Sequence, residues 1–270
     1  VNAFYTRGAL AMTLKLIASG VPPLAALGLA GAFGGLATLT QGLVIVSGPY
    51  NAGRTTTVAA ILEEINRTQT RGVMTIESPI EYLYQNKQSL FQQREVGRDA
   101  LGFLEALRYR QEADVDVLYV GEHDEAGTVP LLLEIAAAGR LVFTVMDSVT
   151  AVQTVERIFS TFAPNDQERA RGLLASALAA VIVQRLLPRN GGGRVLALEV
   201  LVNTPAVGSL IRDCKIAQLE SVMQTSPELG MATLDQSLVA LVRSGELDGN
   251  LAYEVAMDKN NFRGMLASGK

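Results

Sequence analysis

Short apolar runs alternate with stretches of helical periodicity through most of the chain. "GLVIVSG" (42–48) is an apolar run bounded by glycines, the pattern of a strand buried on both faces. In "TTTVAAILEEINR" (55–67), Val58, Ile61, Leu62 and Ile65 share one side of a helix. The alternation continues with a strand at 72–78, a helix at 101–113 and a strand at 115–122. A helix at 131–139, stopped by Gly139, and a strand at 141–146 follow. "ERARGLLASALAAVIVQRLL" (168–187) reads as one long helix, amphipathic at first and apolar later. "GGGRVLALEVLVN" (191–203) reads as a hairpin turn and a late strand, and the tail from Thr204 as short helices. Strands alternating with helices predict an α/β fold with a mostly parallel sheet covered on both faces.

No charged residue falls between Leu16 and Gly53, a span long enough to hold a membrane helix. Pro22 and Pro23 interrupt it, Gly28, Gly31, Gly34, Gly35 and Gly42 are scattered through it, and no Lys/Arg cluster flanks it. We read it as a short buried helix or linker leading into the 42–48 strand, with no integral membrane segment. The 270 residues, 49% of them hydrophobic, suffice for a sizeable core. A net charge of −4 gives no reason to expect nucleic acid as a partner. The single Cys214 excludes an internal disulfide and fits a reducing compartment, and the lone His123 argues against a histidine metal site. The start at Val1 rather than Met reads as a piece with a segment missing in front.

Candidate chemistry centres on "GPYNAGRTTT" (48–57), between the predicted strand and helix. Gly48 and Gly53 have the spacing of the phosphate loop G-x-x-x-x-G-K-[ST], and Thr55 stands at its hydroxyl position. Backbone N–H groups at a helix N-terminus bind anions whatever the side chains, so Gly48, Pro49, Asn51, Ala52, Gly53, Arg54, Thr55 and Thr56 form the nucleotide-binding candidate. Arg54 replaces the motif's Lys with a larger, planar cation. Thr55 retains a hydroxyl for Mg²⁺. From the loop alone, a phosphate site and a plain strand–helix turn with an exposed Arg54 both stay open. Glu122 ends a predicted strand, where a carboxylate orients water or holds Mg²⁺ through water, and equally where an ordinary charge sits. Glu77 and Glu81 follow another strand, and either can reach the same cleft or lie in solvent. His123 is either a site residue or a partly exposed side chain at a strand end.

The order of elements resembles that of the secretion-type hexameric motor ATPases, most closely the type IV pilus retraction ATPases of the PilT family. The similarity runs from "VNAFYTRG" to "NNFRGML". It is carried by "QREVGRD" with "GF" and "EALR" (92–108), "VGE" (120–122) and "GGGRV" (191–195). "TPAV" with "LIRDCK" (204–215) and "GMATLD" (230–235) add to it. The resemblance implies a RecA-like P-loop core at 42–203 after a linker or helix at 21–41. Residues 1–20 are then the last strand and helix of a small α+β N-terminal domain, and 204–270 a C-terminal helical region. It also implies a six-membered ring, of identical copies or mixed with an active paralogue, with ATP and Mg²⁺ as cofactors. The partner is a pilus or secretion platform protein, and the location cytoplasmic, at most peripheral at the inner membrane.

Against the family's pattern the phosphate-facing positions change. Arg54-Thr55 stand for Lys-Ser, and "IESPIE" carries Ser78 for Asp while keeping Glu77 and Glu81. After Glu122, the family's Met-Arg-Asp becomes His123-Asp124-Glu125, and two family His positions hold Arg140 and Asp147. Lys15 stands for an Arg. By the resemblance, Glu122 and Glu81 are the catalytic candidates, and Leu210, Ile211 and Arg212 belong to a segment that supports pilus retraction or, read from the residues, to a packed helix end. The expected function is a PilT-like subunit with weak or absent ATP hydrolysis. The alternative is an active retraction motor using Glu122, with Arg54 or Arg140 as the substitute cation.

Overall fold

The structure is a computed structural model that describes residues 2–14, 20–109 and 114–267. A hairpin of β1 (Asn2–Thr6) and β2 (Ala9–Thr13) comes first. A single 3-10 turn at Leu24–Leu27 and α1 (Ala30–Ala37) lead into β3 (Gly42–Ser47), which is buried along its whole length. Then follow α2 (Arg54–Thr68), β4 (Gly72–Glu77), β5 (Leu90–Glu95), α3 (Phe103–Arg108) and β6 (Val117–Val120). After α4 (Thr128–Ala137), β7 (Leu141–Met146) and α5 (Ala151–Ser160), α6 (Gln167–Ala177) runs directly into β8 (Leu178–Pro188). β9 (Arg194–Val202) is followed by helices α7 (Pro205–Arg212), α8 (Leu219–Thr225), α9 (Leu234–Arg243), α10 (Gly249–Val255) and α11 (Lys259–Ala267).

Seven strands form one sheet in the order β5-β4-β6-β7-β3-β8-β9. Every pair is parallel except β8–β9. Apolar side chains leave the inner strands on both faces, which accounts for their unbroken hydrophobic runs. On one face Val44, Val46, Phe143 and Ile182 pack on Ile61, Leu62 and Ile65 of α2 and on Phe33 of α1. On the other, Ile45, Val142, Val181 and Val183 pack with Leu132 of α4, Val155 of α5 and Leu174 of α6. A third cluster joins Leu187 and Ala197 of the β8–β9 hairpin to Leu238, Ala252 and Phe262 of the C-terminal helices. Among the described residues, no helix is long and apolar enough to cross a membrane.

The long helix expected at 168–187 is not one element: the chain turns from helix to strand at Ala177–Leu178. Val181-Ile182-Val183 is a β-branched run, which favours a pleated surface over a helix. β3 offers it an open edge, pairing Val44 with Ala180 and Ser47 with Val183. Asn203, far along the sequence, holds the transition, its Nδ2 donating to the carbonyls of Ala175 at 2.9 Å and Leu178 at 2.8 Å. β5 is a second difference, since its mixed polar sequence hides a strand that pairs with β4 from Gly72↔Leu90 to Glu77↔Glu95. The strand and helix expected at 1–20 are instead a two-strand hairpin within the described residues.

Ile182 is fully buried in the α2-facing core. Ile182→Ala is expected to cost about 2–5 kcal/mol, read as a fall in the denaturant midpoint. A loss below about 1 kcal/mol contradicts a buried central strand at this position.

Candidate functional site

β3, β7 and β6 end along one edge of the sheet, with Ser47 opposite Met146 and Val120 opposite Thr144. The phosphate-type loop, Asp147 and Glu122 follow these ends, where ligands gather beside a parallel sheet. Gly48 (φ 149°) lies so close to β8 that a Cβ there would meet the Gln184 carbonyl oxygen at 2.4 Å. Gly53 (φ 83°) and Asn51 (φ 62°) take left-handed conformations that turn the chain into α2. The Ala52 N–H donates to the Pro49 carbonyl at 3.1 Å, and Thr57 N–H to the Gly53 carbonyl at 3.0 Å. Gly53 supplies no side-chain cap to α2, so the N–H groups of its first turn are open to an anion.

The Arg54 side chain is only 7% exposed, so the reading of an exposed Arg54 does not hold. Its Nη2 donates to both Glu122 oxygens, at 3.2 and 3.3 Å. Its Nη1 is buried with no partner. The Glu122 side chain is 64% exposed, so solvent screens the pair. Thr55 hydrogen-bonds Tyr119 on β6, whose phenol burial holds protonated far above its ordinary range. The Thr56 hydroxyl lies 2.9 Å from the Tyr82 hydroxyl.

Glu77, at the end of β4, is buried and accepts from Thr75 Oγ1 at 2.7 Å and from the Glu81 backbone N–H. Burial raises its pKa above the ordinary 4.5. It abuts Gly121, next to Glu122, where a Cβ would lie 3.5 Å from the Glu77 Cα. Ser78 is exposed and Glu81 half-buried on the loop that follows. Beyond β6 and β7 opens a cleft of about 680 Å³, lined by Glu122, His123, Asp124, Glu125, Asp147 and Arg157 among others. Asp147 is ion-paired with Arg157. Glu125 accepts from the N–H groups of Phe103 at 2.7 Å and Leu104 at 3.4 Å, capping α3, whose N-cap Gly102 has no side chain to do so. His123 is held by the Gly121 carbonyl at 2.8 Å, and burial lowers its pKa.

Other residues lie elsewhere. Arg140 precedes β7 at the opposite edge of the sheet and pairs with Asp116 at 3.6 Å. About 20 Å of strand separates it from Asp147, so within one chain it cannot stand in for the loop cation. Ile211 is buried in the core, Leu210 packs partly against it and Arg212 is exposed at the end of α7. Lys15 lies outside the described residues. Sequence reasoning missed Gln184, Tyr119 and Tyr82. Gln184 is fully buried on β8, and its Nε2 donates to the Ala52 carbonyl at 2.5 Å. A lone Gln closing an apolar strand run was the available signal.

The type II/IV secretion system protein family model matches residues 31–193, more than half of the chain. The type IV pilus retraction ATPase PilT of Pseudomonas aeruginosa is 39% identical over 262 residues, covering 97% of this chain and 76% of that protein. The chain belongs to the PilT family. A twitching motility protein of Neisseria gonorrhoeae is 42% identical, over 97% of this chain and 70% of its own length. A crystal structure of the pilus retraction motor PilT with bound ADP matches at TM-score 0.89 and 39% identity, covering 96% of this chain and 74% of that one. The Legionella pneumophila ATPase DotB shares the fold at TM-score 0.83 and 22% identity, with 94% and 70% covered.

A carboxyl with a raised folded-state pKa favours folding fully below its unfolded pKa, and that contribution is lost as pH rises through the folded value. Relative to wild type, the melting temperature of Glu77→Gln is therefore expected to rise as pH increases above the ordinary value of 4.5. A flat or falling difference contradicts the burial of an ionisable Glu77.

Proposed function

We propose that this PilT-family chain is a subunit of a type IV pilus or secretion motor that binds nucleotide on residues 48–56 and hydrolyses ATP weakly or not at all. The observation that carries the reading is the Arg54–Glu122 pair. Phosphoryl transfer depends on positioning, and here the carboxylate that would orient water is held by the cation that would cradle phosphate. Several features favour phosphate binding: the tight turn at Gly48, the uncapped α2 N-terminus and the partnerless Arg54 Nη1. Arg54 and the loop N–H groups would hold the phosphates. Thr55, hydrogen-bonded to Tyr119, would offer a hydroxyl lone pair to the Mg²⁺ that accompanies the nucleotide. Mg²⁺ neutralises phosphate charge when bound.

Ser78, Asp124 and Asp147 replace groups that the family resemblance places around the phosphates, whereas Arg140 lies at the opposite edge of the sheet, away from the loop. The subunit then works in a ring, as a homo-hexamer or beside an active paralogue, at the cytoplasmic side of an inner-membrane platform. Leu210, Ile211 and Arg212 fit a role in that assembly, with Arg212 the exposed member. The active-motor reading draws on Glu122, which is retained at the end of β6 facing the loop cation.

Steady-state ATPase assays on wild type, Glu122→Gln and Arg54→Lys decide between the two. Wild-type turnover is expected below a hundredth of the ~10 s⁻¹ typical of enzymes, and Arg54→Lys alone is expected not to restore it. A rate near ~10 s⁻¹ that disappears in Glu122→Gln contradicts the proposal and establishes the active motor.

A further inference from the structure

Resting on the nucleotide-binding reading, the geometry points to a site selective for nucleoside diphosphates over triphosphates, with the Arg54–Glu122 pair as the specificity determinant. The guanidinium is nearly buried at the first residue of α2, and its two terminal nitrogens have different fates. Nη2 spans to Glu122 and touches both carboxylate oxygens. Nη1 is buried and partnerless, a charged donor left without an acceptor. A guanidinium stays protonated and presents its donors in a fixed planar fork. A phosphate that takes Nη1 therefore leaves the bond to Glu122 intact.

The loop N–H groups and Nη1 suffice for the two phosphates of a diphosphate. A third phosphate extends beyond the loop toward the end of β6, the side on which a water-orienting carboxylate stands. Arg54 already occupies the connection between loop and Glu122 there. To admit a terminal phosphate, Nη2 must leave Glu122, and the carboxylate then faces the added negative charge without its cation. A Lys at this position would be a compact charge on a flexible stem and could follow the terminal phosphate. The planar fork of Arg54 is instead confined by burial. The loop that leads into it is fixed by Gln184, which donates to the Ala52 carbonyl, and by the close approach of Gly48 to β8.

Losing one charge-assisted hydrogen bond corresponds to roughly 10- to 100-fold in affinity, and the exposure of Glu122 places the expected effect at about tenfold. The test is calorimetric titration of the full chain with ADP and with a triphosphate whose β–γ bridge resists hydrolysis, each with and without Mg²⁺. Wild type is expected to bind ADP at least about tenfold more tightly than the triphosphate. Arg54→Lys and Glu122→Gln are each expected to shrink that ratio toward unity, and thermal melts of both variants verify that they fold. Equal affinities in wild type, or a preference for the triphosphate, overturn diphosphate selectivity and leave nucleotide binding standing. A preference that persists unchanged in both folded variants overturns the role of the pair. Binding of neither nucleotide at millimolar concentration overturns the selectivity and the nucleotide-binding reading together.

Discussion

A buried guanidinium cannot shed its charge, so the structure around it must supply anions. Arg54 lies at the first turn of α2 with 7% of its side chain exposed, and Glu122 is the carboxylate that meets it. Solvent reaches Glu122, so the pair is worth no more than about 1 kcal/mol to stability. Its importance is positional. It ties the loop after β3 to the end of β6 across the intervening strand β7, and it leaves one nitrogen unsatisfied. Leaving a buried charged donor unpaired is costly, and on the proposed nucleotide-binding reading a phosphate would relieve that cost.

The rest of the site is built to hold this arrangement. The order β6-β7-β3-β8 sets Glu122, Asp147, the loop and Gln184 along one edge of the sheet. The sheet interior is apolar on both faces, so those strand ends move little relative to one another. Gly48 permits contact with β8 that no side chain would allow, and Gln184 hydrogen-bonds the loop from the same strand. The form of a phosphate loop is thereby kept while the residue that decides its chemistry has changed.

Much of this was legible in the sequence. The strands at 43–47, 117–120 and 141–146 announced themselves through unbroken apolar runs, and α2 through its spacing of Val58, Ile61, Leu62 and Ile65. The loop was readable because its glycines serve local backbone needs. Long-range contacts were not readable. The helix-to-strand change at Leu178 depends on the edge of β3 and on Asn203, neither of which a local window contains. β5 borrows its hydrogen bonds from β4 and carries no strong pattern of its own. The Arg54–Glu122 contact joins residues 68 positions apart, and only the sheet brings them together. Glu125 was legible only as a departure from the family's pattern; its capping of α3 appears once Gly102 is placed beside it.

The most direct test of this account is a double-mutant cycle on triphosphate affinity, using Arg54→Lys, Glu122→Gln and the double variant. If the pair is one unit that a terminal phosphate must open, the two effects are coupled, with an interaction of about 0.5–3 kcal/mol. Additive effects, agreeing within about 0.3–0.5 kcal/mol, would mean that Arg54 and Glu122 act independently and would contradict the central role given to their contact.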